Sequence, residues 1–167
     1  KRIVWGKFFN SGQSCMAPNH IFVDKEIENN LIEKLKQCIV SFYGEDPIIS
    51  ENLSKLEKKQ FSSTIEILKR YKKEKRILYG GTFNKKKLKI SPTILKTKLD
   101  EPDILQKELF SSLLPVIGIE NKESALKQIN QTSKPLAIYL FGGNKKIHNH
   151  ISRVTSSGTI CINDVML

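Results

Sequence analysis

The sequence predicts an α/β fold in which a mostly parallel sheet carries helices on its faces. Two features predict it. Short apolar runs of strand length alternate with amphipathic stretches of helical period through most of the chain. The run PVIGIE (115–120) also has the apolar character of a strand buried inside a covered sheet. At 167 residues, 39% of them hydrophobic, the chain has the size and composition of one domain with a real core.

Taken in order, residues 2 to 10 read as a short helix that Asn10, Ser11 and Gly12 end, with Pro18 barring its resumption. Cys15 then falls in the connecting loop. His20 to Val23 is a short strand, and Asp24 caps a helix bearing Ile27, Leu31, Leu35, Cys38, Ile39 and Phe42 at helical spacing until Gly44 stops it. A second helix spans Leu53 to Tyr71, with Leu56, Ile65 and Leu68 on its apolar side. RILYGG (76–81) is a strand closing on two glycines, residues 83 to 91 are a polar hairpin or loop, and Thr93 to Leu95 is a strand. After a turn at Asp100 to Asp103 come PVIGIE, a helix over Lys122 to Gln131, the strand LAIYLFG (136–142), a helix over Asn144 to Val154, and the strand TICIN (159–163). No internal repeat or low-complexity linker divides them.

Charge is the unusual property. The 28 Lys and Arg against 17 Asp and Glu give +11, which suits a polyanion and equally suits a lysine-rich solvated exterior. The basic runs KRYKKEKR (69–76) and KKKLK (85–89) carry little aromatic residue for base stacking and sit in no nucleic-acid motif, so a solvated surface is the expectation and nucleic acid is not an expected partner. No apolar run reaches the roughly 18 residues of a membrane-spanning helix, so membrane attachment through this segment is not expected. Three cysteines without a CxxC pair speak against a disulfide framework and for a reducing compartment, in the cytoplasm or on the cytosolic face of a membrane. The start without Met, straight into Ile3, Val4, Trp5, Phe8 and Phe9, and the close just after a strand make both ends look cut, as in a piece of a longer chain.

Several chemical signals fail. His148 and His150 lie at i and i+2 on a helix, point apart and cannot share a metal; no metal site is expected. Gly80-Gly81 and Gly142-Gly143 each follow a strand, yet neither completes a phosphate-binding glycine pattern. Cys38 and Cys161 fall on apolar faces and read as core. Cys15 differs, because it follows Gly12, Gln13 and Ser14 in a loop whose backbone N–H groups have no ladder to bind and can hold an oxyanion. If it lies just past a helix C-terminus, the negative end of the helix dipole opposes the thiolate, so activation must come from elsewhere. Only His20 and Asp24 lie near it in sequence, and both can face away.

GKFFNSGQSCMAP (6–18) closely resembles the cysteine segment of aldehyde dehydrogenases, and the wording of the chain is similar to the class 3 or fatty-aldehyde branch. The likeness continues in order through FYGEDP (42–47), GGTF (80–83), SPTIL (91–95), LQKELF (105–110), KPLAIYLF (134–141) and SSGTICINDV (156–165). The resemblance implies an aldehyde dehydrogenase catalytic domain over residues 1–167, truncated at both ends and largely without its NAD(P)-binding domain. It implies oxidation of an aldehyde to a carboxylic acid with NAD or NADP as cofactor, through a thiohemiacetal and a thioester on Cys15. Glu108 matches the glutamate that binds the ribose next to nicotinamide, and Phe110 a phenylalanine beside the nicotinamide ring. Asn163, with Asp164, is expected to help shape the substrate end. The family's oxyanion asparagine and general-base glutamate have no counterpart in this chain, so the fragment alone is expected to be inactive. Ser111 and Ser112 stand where the family has Gly-Pro, which would loosen the aim of Glu108. A homodimer is the expected assembly, with TICIN as the edge for pairing.

Overall fold

The computed structural model describes residues 1–166. Helix α1 (Arg2–Phe8) turns Val4 and Phe8 inward and runs into a 3-10 turn, Phe9–Gly12. Strand β1 (Ile21–Asp24) passes directly into α2 (Lys25–Tyr43), whose first turn is capped by the Asp24 carboxylate accepting from Glu26 N at 3.0 Å. Gly44, at φ 78°, ends that helix as expected, since only glycine reaches this conformation without strain. The next helix, α3 (Lys58–Lys73), starts later than the Leu53 predicted. Leu53 and Leu56 are buried all the same, but Leu56 N donates to Leu88 O at 2.8 Å and Glu57 N to the Gln13 side chain at 2.9 Å. Long-range partners therefore take the N–H groups that a helix would have used.

Then follow β2 (Ile77–Tyr79), the hairpin strands β3 (Phe83–Asn84) and β4 (Lys89–Ile90), and β5 (Thr93–Lys96). The turn expected at Asp100 to Asp103 becomes one helical turn, α4 (Pro102–Leu105), with its proline where a missing N–H costs nothing. The chain ends with β6 (Leu113–Ile119), α5 (Lys122–Gln131), β7 (Ala137–Leu140), α6 (Lys145–Val154) and β8 (Thr159–Ile162). Asn121 and Asn144 cap α5 and α6 by accepting from Ser124 N and Ile147 N.

Strands β1, β6, β5 and β2 form one sheet in that order, parallel except where β2 runs antiparallel to β5. Alternation divides its side chains between two cores. Leu95, Leu113 and Ile117 pack on Phe61, Ile65, Leu68, Ile104 and Leu109, on the side of α3 and α4. Ile94, Leu114, Val116 and Val23 pack on Val4, Phe8, Ile32, Leu35 and Ile39, on the side of α1 and α2. The predicted architecture, a mostly parallel sheet with helices on both faces, is the one observed. The unbroken sheet is not: among the described residues β7 and β8 form a separate parallel pair, while the four-stranded sheet ends at β1 and β2. No described helix is long and apolar enough to cross a membrane.

Candidate active site

The loop that carries Cys15 is bent by three consecutive left-handed residues, Asn10, Ser11 and Gly12, at φ 46°, 55° and 79°. At Gly12 glycine is required twice over, by this φ and because a Cβ would stand 2.3 Å from the Ser111 carbonyl oxygen. The bend is pinned by side chains. Ser11 Oγ donates to Ser54 O at 2.7 Å, Gln13 Nε2 donates to Asn10 O and Lys55 O at 3.0 Å, and Gln13 Oε1 accepts from Glu57 N. A tight turn follows, in which Ala17 N donates to Ser14 O at 3.1 Å and Met16 N to Ser14 Oγ at 3.3 Å. Cys15 lies at its apex, exposed and unbridged. Among the described residues nothing accepts its N–H, so a donor is free beside the sulfur. From β7, the Tyr139 hydroxyl donates to Met16 O at 2.7 Å and steadies the far side of the turn.

Neither group near Cys15 in sequence is placed to act as its base. The Asp24 carboxylate caps α2. His20 is half-buried with its ring edge-on against Phe22, and desolvation, then the Lys7 charge, pull its pKa down to about 4. Its imidazole is therefore neutral at pH 7 and a poor proton acceptor. Lys7 is itself fully buried among the described residues, and desolvation alone draws its amine down to about 7. Tyr139 has its phenol pushed up, chiefly by burial and further by the neighbouring Cys161 and Cys15.

Glu108 and Phe110 lie on the segment between α4 and β6, which is strapped against the cysteine loop. Asn19 Nδ2 donates to Lys107 O at 2.8 Å, and Asn19 Oδ1 accepts from Leu109 N at 2.9 Å. Ser112 Oγ donates to Ser11 O at 3.4 Å, while the Ser111 carbonyl packs on Gly12. Ser111 and Ser112 are thus fully buried, and the Ser111 hydroxyl finds no partner among the described residues. Upstream, Glu101 accepts from Arg76 and Tyr71 and anchors the start of α4. The Glu108 carboxylate stands exposed with no hydrogen-bond partner among the described residues, and Phe110 is half-buried at φ 41°.

Asn163 is placed differently. Its side-chain oxygen accepts from Gly142 N at 3.0 Å and its N–H donates to Leu140 O at 2.7 Å, joining the ends of β7 and β8. Asp164 pairs with Arg2 and accepts from Val165 N. Cys38 and Cys161, expected in the core, are each only half-buried. Among the described residues, a surface depression of about 530 Å³ lies beside Asn10, Gln13 and Lys55 and another of about 330 Å³ along Ser152 to Ile160, and neither of these is lined by Cys15. No described cluster of His, Cys, Asp and Glu is arranged to hold a metal ion. Asn19, Gln13 and Tyr139 escaped the sequence reading, because their partners lie 42 to 123 residues away and no local pattern marks them.

The chain belongs to the aldehyde dehydrogenase family, whose model matches residues 1–167. It is 37% identical over its whole length to the dimeric NADP-preferring aldehyde dehydrogenase of Mus musculus and covers 36% of that protein. It is 33% identical to aldehyde dehydrogenase family 3 member A2 of the same organism, of which it covers 34%. The substrate-bound structure of Staphylococcus aureus AldH superposes with a TM-score of 0.91 over 99% of this chain and 36% of that one, at 29% identity. The chain thus spans about a third of the length of these relatives.

Proposed function

We propose that the polypeptide carrying this chain oxidises aldehydes to carboxylic acids with NAD(P)+, and that Cys15 is its nucleophile. The observation that carries this reading is the free N–H beside an exposed sulfur at the apex of a pinned turn. Cys15 Sγ attacks the carbonyl carbon, and the carbonyl oxygen takes up negative charge as a thiohemiacetal. The Cys15 N–H lies on the same residue as the attacking sulfur and donates to that oxygen. Because the bonds of Ser11, Gln13 and Ser14 already fix the turn, little reorganisation is left for the moment of reaction.

The residues present fit only one end of a dinucleotide. An exposed carboxylate such as Glu108 accepts from two neighbouring ribose hydroxyls, and the half-buried ring of Phe110 offers a flat face nearby. When bound, the dinucleotide supplies the hydride acceptor, leaving a thioester on Cys15 for water to hydrolyse. The neutral His20 and the capping role of Asp24 support a base supplied from outside these 167 residues, and the isolated piece is accordingly inactive. The intact protein is a homodimer. The relative's name supports this, as does β8, whose second edge carries no strand among the described residues.

The test is reduction of NAD(P)+ by the intact polypeptide in the presence of an aldehyde. Turnover that Cys15→Ala abolishes is expected. Undiminished turnover in that variant overturns the assignment.

A further inference from the structure

The geometry points to Asn19 as a positioning residue that fixes the aim of Glu108 from the cysteine loop, an inference that rests on Glu108 being the cofactor contact. Its primary amide makes two bonds to the same short segment, donating to Lys107 O at 2.8 Å and accepting from Leu109 N at 2.9 Å. Lys107 O belongs to the peptide plane before the Glu108 Cα, and Leu109 N to the plane after it. Holding both planes sets the two backbone torsions of Glu108 and leaves only its side-chain rotors free. A main-chain bond to one plane alone would leave the other to swing.

Asn19 is also well placed to transmit register. It follows Cys15 by four residues and comes directly after buried Pro18, whose ring fixes φ. The Ser14 turn sets the intervening backbone. One side chain thus measures the separation of the sulfur from the carboxylate, the two groups that must address opposite ends of one hydride transfer. Gln60 donates to Leu109 O from α3 and steadies the segment from the sheet side, but it does not tie it to the cysteine loop. Glu108 has no partner of its own among the described residues, so its direction depends on the backbone that carries it.

The test uses the intact polypeptide with Asn19→Ala, Asn19→Asp and Glu108→Gln, alone and combined. Asn19→Ala removes both bonds. Asn19→Asp keeps the acceptor for Leu109 N but sets an oxygen against Lys107 O. The expected result is a KM for NAD(P)+ raised about tenfold by Asn19→Ala, as the loss of two ordinary hydrogen bonds gives. Asn19→Asp shifts it in the same direction. Hydrolysis of an activated ester at Cys15, which needs no hydride acceptor, stays within about twofold of wild type, as does the aldehyde KM. In the Glu108→Gln background, Asn19→Ala adds no further rise.

Three results overturn the inference: an unchanged cofactor KM in both Asn19 variants, a tenfold rise that persists on top of Glu108→Gln, or ester hydrolysis falling in step with dehydrogenation. The last would mean that Asn19 merely holds the cysteine loop together. If Glu108→Gln itself leaves the cofactor KM unchanged, the reading of Glu108 fails and this inference fails with it. A response to Glu108→Gln without a response to Asn19→Ala sinks the inference alone.

Discussion

The sheet and the loop that presents Cys15 are adjacent, yet different forces hold them. Leu113, Leu114, Ile94 and Leu95 are wholly buried, and helices on either face complete their packing. Apolar contact of that kind is strong, undirected and spread over many residues. The cysteine loop has almost none of it. Its shape comes from polar side chains of Ser11, Gln13 and Ser14 bonding to backbone atoms, most of them distant in sequence. Such bonds are individually weak but directional. The sheet therefore supplies stability and the loop supplies aim, and substitutions in the two regions should have separable effects.

The largest effect expected is on activity alone. Cys15→Ala should lower turnover by on the order of 10³-fold or more, while stability, read by denaturant unfolding, moves by less than about 0.5 kcal/mol because the side chain is exposed. Leu114→Ala should do the reverse. A cavity at a residue with 0% exposure costs about 3 kcal/mol by the same measurement, and residual Cys15 reactivity per folded molecule should be unchanged.

A smaller effect concerns Lys7, where a charge-bearing group lies behind the loop. Its amine is drawn down to about 7 in the fold from an ordinary 10.5, so between these values the unfolded chain binds a proton that the folded chain does not. Stability must then rise with pH, by about 2 kcal/mol from pH 7 to pH 9. Lys7→Met should flatten that rise and be the more stable protein at pH 7, as seen in thermal unfolding at both pH values. The smallest effect sharpens the comparison at the junction of the two regions. Ser111→Ala removes a buried hydroxyl without a described partner and should gain about 1 kcal/mol in chemical denaturation.

How much of this was legible in the sequence follows the same division. Elements fixed by local chemistry were readable: the Asp24 cap and Gly44 stop of α2, and the buried run of β6. Where tertiary partners decide, reading failed. The helical pattern from Leu53 gave way to a loop because Leu88 and Gln13 claim its N–H groups. The pairing of β7 and β8 apart from the main sheet could not be read either, because periodicity marks strands but not their order. In the site, the family likeness pointed to Cys15, Glu108 and Phe110. It could not find the Asn19 amide, whose two partners lie 88 and 90 positions along the chain.

The most direct measurement is to stop the intact polypeptide during aldehyde oxidation with acid, digest it and weigh the peptides that contain Cys15, Cys38 and Cys161. An acyl group of the substrate's mass on the Cys15 peptide, and on neither of the others, is the expected result. Steady product formation with acyl mass on Cys161, or with Cys15 unmodified at every time sampled, would contradict a Cys15 nucleophile.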